Sequence, residues 1–328
     1  MIAYRFGRED LLRTRFAISP LFELQASVGA LRDPGARSVH LPWVRAARPR
    51  LAGLDFAMVD ALLPERGYAP DFFAPPPRSP LPDVRDELAR VLATDPAQVR
   101  RELGWRFPDG EPPAAVRPLL DTPARGLEVL VEELTGYWER ALAPWWDRVR
   151  GLLEADIRYR AARLVEGGAI ELFAGLHPGV RWQGATLEVE AAADAEVDLA
   201  GRGLQLVPSA FIWPLSGAMF DPPWQPSVVY APRGVGDLWA PDGEGSEALA
   251  DLLGRGRARI LTALAAEAST SDLALRLSAS PAGVSEHLGV LRRGGLVRAR
   301  REGRSVLYSR TPVGDALTAP ASSPGSPS

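Results

Sequence analysis

Two short apolar patterns with helical spacing, separated by a few residues, constrain this chain more than any other feature. Within residues 270–277 and again within 281–293, apolar side chains recur every three or four positions, which is typical of short amphipathic helices. The apolar positions are Leu273, Ala274 and Leu277, then Val284, Leu288 and Leu291. Only residues 278–280 separate the two patterns, so the chain must turn tightly there. The spacing therefore predicts a helix-turn-helix in residues 270–293.

The second predicted helix has recognisable signals at both ends. Ser280 can accept a hydrogen bond from a free backbone N–H as the N-cap, and Pro281 suits the first helical position, where no N–H is needed. At the other end, Gly294 or Gly295 can take the left-handed conformation that closes a helix. These signals predict a helix over residues 281–293.

The outward side of this second helix is predicted to carry mainly short side chains. If the three apolar residues face the core, the positions left outward are Ala282, Gly283, Ser285, Glu286 and Gly289. A helix with a small outer face can lie deep in the major groove of DNA. The pattern therefore favours a DNA-recognition helix.

A basic hairpin is predicted immediately after the helix pair. Residues 296–309 contain two β-prone segments separated by the turn signal Glu302-Gly303. Arg300, Arg301 and Arg304 crowd the tip of this hairpin. Arginines in such a wing suit DNA phosphates or a narrow minor groove.

Residues 246–317 as a whole resemble the winged-helix head of the ArsR-type bacterial transcription regulators. The matching residues are Leu252-Leu253-Gly254, Arg259-Ile260-Leu261, Ser280-Pro281-Ala282, Val284-Ser285, His287-Leu288, Val290-Leu291, Gly295-Leu296-Val297, Arg301-Glu302-Gly303-Arg304 and Val306-Leu307-Tyr308. The resemblance implies a transcription regulator, in this case a repressor, that binds palindromic double-stranded DNA as a homodimer. The upstream part resembles an uncharacterised domain that often precedes such heads, and that resemblance implies no activity.

Two departures from the family pattern limit what the resemblance implies. Gly283 stands where relatives often carry a hydroxyl residue, usually threonine, so the sequence specificity is left open. Metal-sensing relatives often place cysteines on the first helix of the motif, whereas here residues 271–276 read Ser-Asp-Leu-Ala-Leu-Arg. The metal-sensing role therefore does not carry over.

The residues expected to contact DNA follow from this arrangement. In and around the recognition helix they are Ser280, Ala282, Gly283, Ser285, Glu286, His287 and Arg292, and in the wing they are Arg300, Arg301 and Arg304. For His287 two interpretations stay open. It is either a packing and hydrogen-bonding residue near the DNA backbone or a residue that contacts a base.

The charge distribution agrees with a DNA-binding head on a body that does not bind DNA. Residues 255–310 contain 11 arginines against 4 acidic residues, whereas residues 1–254 contain 27 arginines against 36 acidic residues. The overall formal charge of −3 hides this asymmetry. A basic small domain attached to an acidic large one is typical of nucleic-acid-binding proteins.

The sequence predicts an α+β fold in two domains. Residues 1–240 form a mainly helical domain in which residues 7–18 are one of the helices, and alternating patterns between residues 180 and 230 predict a small antiparallel sheet. The polar segment 241–246 is the expected boundary, and residues 246–317 form the winged helix-turn-helix domain. The tail 318–328 is rich in alanine, proline and serine and is expected to be disordered.

An aromatic group in the N-terminal domain allows two interpretations. Tyr137, Trp138, Trp145 and Trp146 belong to an apolar stripe at helical spacing. Such a stripe either packs in a core or lines an apolar pocket for a small-molecule effector. In the second case the N-terminal domain would carry the main activity of the protein, which would be to sense a small molecule. A protein-interaction body is a further alternative.

Other classes of function find little support in the sequence. The chain has no cysteine, and its histidines, His40, His177 and His287, have no metal-binding neighbours at helical spacing, so we expect no metal site. Nucleophile, phosphate-loop and dinucleotide motifs are absent, so we expect neither a cofactor nor an enzyme. No apolar run reaches membrane-spanning length and the N-terminus has no signal-peptide core, so we expect a cytoplasmic protein.

Overall fold

The computed structural model describes residues 1–318 except 66, 109, 192–193, 240–243, 265–266, 278 and 303–304, and at 244–248, 275, 302 and 305 it describes the backbone alone. Contacts within the chain divide it into two units, residues 1–232 and 233–328. The predicted α+β class is confirmed, because both units combine helices with small sheets.

Helices are the main regular structure of the N-terminal unit. They are α1 (Arg8–Arg13), α2 (Pro20–Arg32), α3 (Leu41–Leu51), α4 (Ala57–Leu62), α5 (Val84–Leu92), α6 (Pro96–Arg106), α7 (Arg117–Asp121), α8 (Pro123–Tyr137) and α9 (Trp146–Phe173). A π-helical turn, Trp138–Leu142, follows α8, and a kink at Gly167 and Gly168 interrupts α9. Side-chain oxygens fix the starts of α5 and α6. Asp83 caps α5 and Asp95 caps α6, each by accepting a backbone N–H two residues on.

Within the described residues, the strands of the N-terminal unit form two sheets rather than one. They are β1 (Ile2–Arg5), β2 (Arg15–Phe16), β3 (Val180–Gln183), β4 (Thr186–Val189), β5 (Ala195–Asp198), β6 (Gln205–Pro208), β7 (Gly217–Met219) and β8 (Ser227–Tyr230). One sheet has the order β3-β4-β1-β5 and the other the order β2-β6-β8-β7. Their inner faces share an apolar core that includes Tyr4, Leu187 and Val228.

The prediction of a single antiparallel sheet is wrong, because both sheets are mixed. β1 runs antiparallel to β4 but parallel to β5, with Tyr4 opposite Leu187 on one side and Val197 on the other. β6 runs parallel to both β2 and β8. The N-terminal strands pair with strands from the end of the unit, since β1 lies between β4 and β5, and β2 lies beside β6. Residues 209–226 connect β6 to β8 and are long enough for these two strands to run parallel.

Buried carboxylates hold helices of this unit in place. Glu23 on α2 accepts hydrogen bonds from the backbone N–H groups of Ala210 at 2.6 Å and Phe211 at 3.1 Å. Glu87 on α5 accepts from the Ser19 hydroxyl at 3.0 Å, and burial raises the pKa of Glu87 to about 8. Because a buried acceptor without donors is costly, these bonds fix the position of α2 and α5.

The described residues of the C-terminal unit form five α-helices and a three-stranded sheet. The elements are α10 (Glu244–Leu253), α11 (Arg255–Ala263), α12 (Thr270–Leu277), α13 (Pro281–Arg293) and α14 (Pro312–Thr318), with β9 (Ala268–Ser269), β10 (Val297–Glu302) and β11 (Ser305–Arg310). The sheet is antiparallel with the order β10-β11-β9. Its core contains the apolar residues predicted for the two motif helices, among them Leu273 and Leu288.

The C-terminal unit begins ahead of the predicted boundary. The short helical turn Val235–Asp237 already belongs to it, since Asp237 accepts a hydrogen bond from Arg259 of α11 at 2.9 Å. Residues 241–243 of the predicted boundary segment lie outside the described residues, as do residues 319–328 of the predicted tail. Thr318, the first residue of that predicted tail, is the last residue of α14.

Candidate nucleic-acid interface

The predicted helix-turn-helix is formed by α12 and α13. The Ser280 hydroxyl accepts a hydrogen bond from the Gly283 N–H at 3.1 Å, and Pro281 occupies the first turn, so the cap forms as predicted. Val284, Leu288 and Leu291 are buried. The helix starts and ends at the residues that its sequence signals indicated.

The end of α13 is fixed by a left-handed glycine. Gly295 has φ +69°, and it is this residue rather than Gly294 that takes the left-handed conformation. Its N–H donates to the carbonyl of Arg292 at 3.0 Å, and the N–H of Leu296 donates to the carbonyl of Leu291 at 2.9 Å. This pair of bonds is a Schellman motif. It turns the chain sharply from α13 into β10.

The outward side of α13 is open to solvent at most of the predicted positions. Ala282, Ser285 and Glu286 are exposed, and Arg292 and Arg293 are exposed at the far end of the helix. Two small side chains, Ala282 and Ser285, beside the carboxylate of Glu286 and with two cations at the far end of the helix, are compatible with approach to base edges and phosphates. Arg293 was not among the predicted contacts, although its position beside Arg292 on the last turn was visible in the sequence.

Gly283 and His287 are placed differently from the other predicted contacts. Both are half-buried. The His287 ring lies against α11, since a Cβ added to Gly256 would be 2.7 Å from its Nε2 atom. This placement favours the packing interpretation of His287. A Cβ added to Gly283 would be 3.1 Å from the Ser280 hydroxyl oxygen, so a larger residue there would press on the cap of the helix.

The wing is the hairpin of β10 and β11, with β9 as a third strand that was not predicted. Arg301 lies opposite Val306 in this hairpin, and Arg300 lies opposite Leu307. Both arginines are exposed. Arg304 falls outside the described residues.

Arg300 and Arg301 point to opposite faces of the wing sheet. Side chains alternate along a strand, so Arg301 shares a face with Val297, which is buried in the core of the unit. Arg301 therefore lies on the same face of the sheet as the core of the unit, but beyond the edge of that core. Arg300 shares the other face with Arg298, whose Nε atom donates to the Ser309 hydroxyl at 3.0 Å.

The two wing arginines also differ in their partners. Arg300 forms an ion pair with Glu267 at 3.0 Å, and this hydrogen bond holds the pKa of the Glu267 carboxyl below its usual value. No carboxylate of the described residues lies within ion-pair distance of Arg301. Arg301 is thus the more available of the two for a phosphate.

Of the four aromatic residues predicted to line one pocket, Tyr137 and Trp145 lie outside the cleft that the other two residues share. Tyr137 is fully buried, its hydroxyl is 2.9 Å from that of Ser27, and its ring packs edge-on against Phe56. Trp145 lies under the guanidinium of Arg50, which is 5.2 Å from the ring centroid. For Tyr137 the core-packing interpretation therefore describes the structure.

Trp138 and Trp146 do come together. Their rings meet edge-to-face with centroids 5.0 Å apart, and both line an open cleft of about 420 Å³ beside Leu81 and Arg150. The predicted grouping of four residues around one cavity is thus corrected to two. The π-helical turn at Trp138–Leu142 is the physical reason, because it breaks the helical spacing on which the grouping was based.

The described part of the chain offers no obvious metal site or membrane span. No three histidine, aspartate or glutamate side chains among its residues are grouped so that they could hold a metal ion. None of its helices is both long and apolar enough to cross a bilayer.

Comparison with known proteins supports the assignment of the head. Residues 256–300 match the model of a helix-turn-helix domain family. Residues 111–235 match the model of a family of unknown function, DUF5937. No curated protein and no solved structure gave a significant match. A helix-turn-helix head preceded by an uncharacterised domain is thereby confirmed, and this architecture supports a DNA-binding transcription regulator.

Proposed function

We propose that this protein is a sequence-specific transcription regulator of the ArsR type, in which α13 enters the major groove of double-stranded DNA. The observation that carries the proposal is the exposed row Ala282, Ser285 and Glu286 on a well-capped helix, with Arg292 on its last turn and Arg301 on the wing that follows it. The small side chains allow the helix to approach base edges, and the arginines at its C-terminal end and on the wing hold phosphates. The proposal places the protein in the cytoplasm and assigns it no catalytic step.

We propose further that the regulator is a repressor. A head that occupies promoter DNA blocks polymerase unless it also offers a surface that recruits it. The test is transcription in vitro from a promoter that contains a selected binding site. The expected result is a transcript level that falls as protein is added. A rise in the transcript level would indicate an activator.

A homodimer is the expected assembly, and the C-terminal unit offers a surface for it. α10 and α14 pack together. They leave Leu252 67% exposed and Val313 59% exposed. Large apolar side chains exposed on neighbouring helices are typical of association surfaces. Two copies joined there would present two recognition helices to a palindrome, with half-sites about 34–36 Å apart if one helical turn separates them.

The double variant Leu252→Asp/Val313→Asp is expected to be a monomer, because two buried carboxylates would face their copies across a symmetric interface. Light scattering after size exclusion measures the mass directly. Leu12→Asp provides the control, since Leu12 is 86% exposed on α1 of the other unit. A dimer that persists in the double variant would exclude this surface.

Arg301→Ala is expected to weaken DNA binding on every sequence by about fivefold to tenfold and to lower the salt slope by about one, because one phosphate contact is lost. Arg300→Ala is expected to have the smaller effect, since Arg300 is held by Glu267. Titrations of a specific and a random duplex at several salt concentrations measure both quantities. An unchanged salt slope in Arg301→Ala would contradict the phosphate role.

A further inference from the structure

An open cleft of about 600 Å³ lies in the N-terminal unit between α5, α6 and residues 222–224. Its wall includes three arginines, Arg78, Arg90 and Arg101, but only one carboxylate, that of Asp95. The Asp95 carboxylate already accepts the Ala97 N–H at 2.7 Å as the cap of α6. The cleft is therefore cationic within a unit whose overall charge is acidic.

The three arginines differ in how firmly they are held. Arg90 is half-buried and donates to the backbone carbonyl groups of Pro75 and Pro76, so its position is fixed. Burial and the nearby Arg78 lower its pKa, as expected for a cation that faces another cation. Arg78 and Arg101 are exposed, and no carboxylate of the described residues pairs with either. Two unpaired guanidinium groups are thus available to a ligand beside a fixed third one.

A buried amide oxygen supplies a second, independent sign of a ligand. Gln98, in the first turn of α6, lines the cleft and is only 4% exposed. Its Nε2 atom donates to Glu102, whereas its Oε1 atom has no hydrogen-bond donor among the described residues. A buried acceptor without a donor is costly. A ligand with its own hydroxyl or amide N–H would satisfy it.

An aromatic ring forms another part of the wall. Trp224 is half-buried, and its indole N–H donates to Glu102 at 2.7 Å, which fixes the orientation of the ring. The negative charge of Glu102 is shared among donors, since its carboxylate also accepts the Phe72 N–H at 2.8 Å. Burial and Glu102 raise the pKa of the neighbouring Asp71 to about 8, so that carboxyl is largely protonated at neutral pH. Asp71 therefore adds little negative charge beside the cleft at neutral pH.

We propose that this cleft binds a small organic anion that carries a carboxylate, a planar ring and a hydrogen-bond donor. The carboxylate would pair with Arg78 and Arg101, whose planar guanidinium groups match its geometry. The ring would pack on Trp224, and the donor would reach Gln98. This proposal goes beyond DNA binding and concerns the N-terminal unit alone, so it stands or fails independently of the function proposed for the head.

The test uses para-hydroxybenzoate as the probe and the full chain as the protein. Calorimetric titration is expected to show saturable binding with a Kd of about 1 mM or tighter. Quenching of tryptophan fluorescence is expected in the wild type and not in Trp224→Phe, because only Trp224 would touch the ring. The neutral isostere para-hydroxybenzamide is expected to bind at least about tenfold more weakly, since it lacks the charge that the arginines recognise.

Matched arginine variants separate the cleft from a general charge effect. Arg78→Gln/Arg101→Gln is expected to weaken probe binding at least about tenfold, because charge-assisted hydrogen bonds are lost. Both side chains are exposed, so the variant is expected to keep its fold. Arg100→Gln, an exposed position on α6 that is not part of the cleft wall, is expected to bind like the wild type. Absence of saturable binding, equal binding of the benzamide, or full binding by the double variant would overturn the proposal.

Discussion

Replacing Leu288 by alanine is expected to lower the free energy of unfolding of the C-terminal unit by about 3 kcal/mol or more. Leu288 is fully buried in the core that holds α11, α12 and α13 together. The substitution removes buried methyl groups and leaves a cavity that the surrounding helices fill only in part. DNA affinity should fall as the folded population of the head falls. Hydrogen exchange of the amides of residues 281–293 in the full chain measures the change.

Leu288→Met is the matched control. It keeps the volume and apolar character of the side chain, so the expected loss of stability is below about 1.5 kcal/mol. Unchanged exchange of residues 281–293 in Leu288→Ala would mean that α13 does not depend on this core.

Ser285→Glu is expected to weaken binding to a specific duplex by about 100-fold, because a carboxylate on the exposed face of α13 would meet the negative DNA surface in the groove. Such a loss corresponds to roughly 3 kcal/mol. Ser285 is exposed on α13, and glutamate is a good helix former, so the fold of the head should be retained. A fluorescence-anisotropy titration with the wild-type and variant proteins measures the loss.

Ser285→Gln is the matched control, because glutamine has nearly the same size as glutamate but carries no charge. It is expected to keep most of the non-specific affinity, while the preference for bases near that position changes. If Ser285→Glu and Ser285→Gln weakened binding equally, sterics rather than charge would be responsible. If neither had an effect, Ser285 would not face the DNA.

The bounds of α13 could be predicted to the residue because its signals are local. Ser280 and Pro281 specify where α13 starts, and Gly294-Gly295 specifies where it ends, without reference to distant parts of the chain. The wing was predictable for the same reason, since a turn signal separates two adjacent strands. The strand β9 was not, because it consists of two residues, Ala268 and Ser269, that pair only once β11 is in place.

Elements that depend on distant partners were predicted less well. Residues 7–18 were expected to be one helix, but α1 ends at Arg13 and the chain continues as the strand β2. The reason is a tertiary contact, since Arg15 pairs with Gln205 on β6. In the same way, alternation along β4 and β5 indicates which side chains face the core, but it does not reveal that β1 lies between the two strands.

The cationic cleft had no local signal at all. Arg78 and Arg101 occur in an arginine-rich chain, where single arginines carry little information, and Trp224 lies more than a hundred residues further on. Only folding brings these groups to one wall. The capped helices α5 and α6 position Arg90 and Arg101, and the buried carboxylate of Glu102 orients the ring of Trp224.

The central claim is that α13 reads base edges in duplex DNA, and selection from random-sequence duplexes tests it most directly. The wild-type chain and Ser285→Gln are each used to enrich binding sequences. The predicted result is a palindromic motif for the wild type and, for the variant, a motif that differs at one position in each half-site. Enrichment of no motif by the wild type, or of the same motif by both proteins, would contradict the claim.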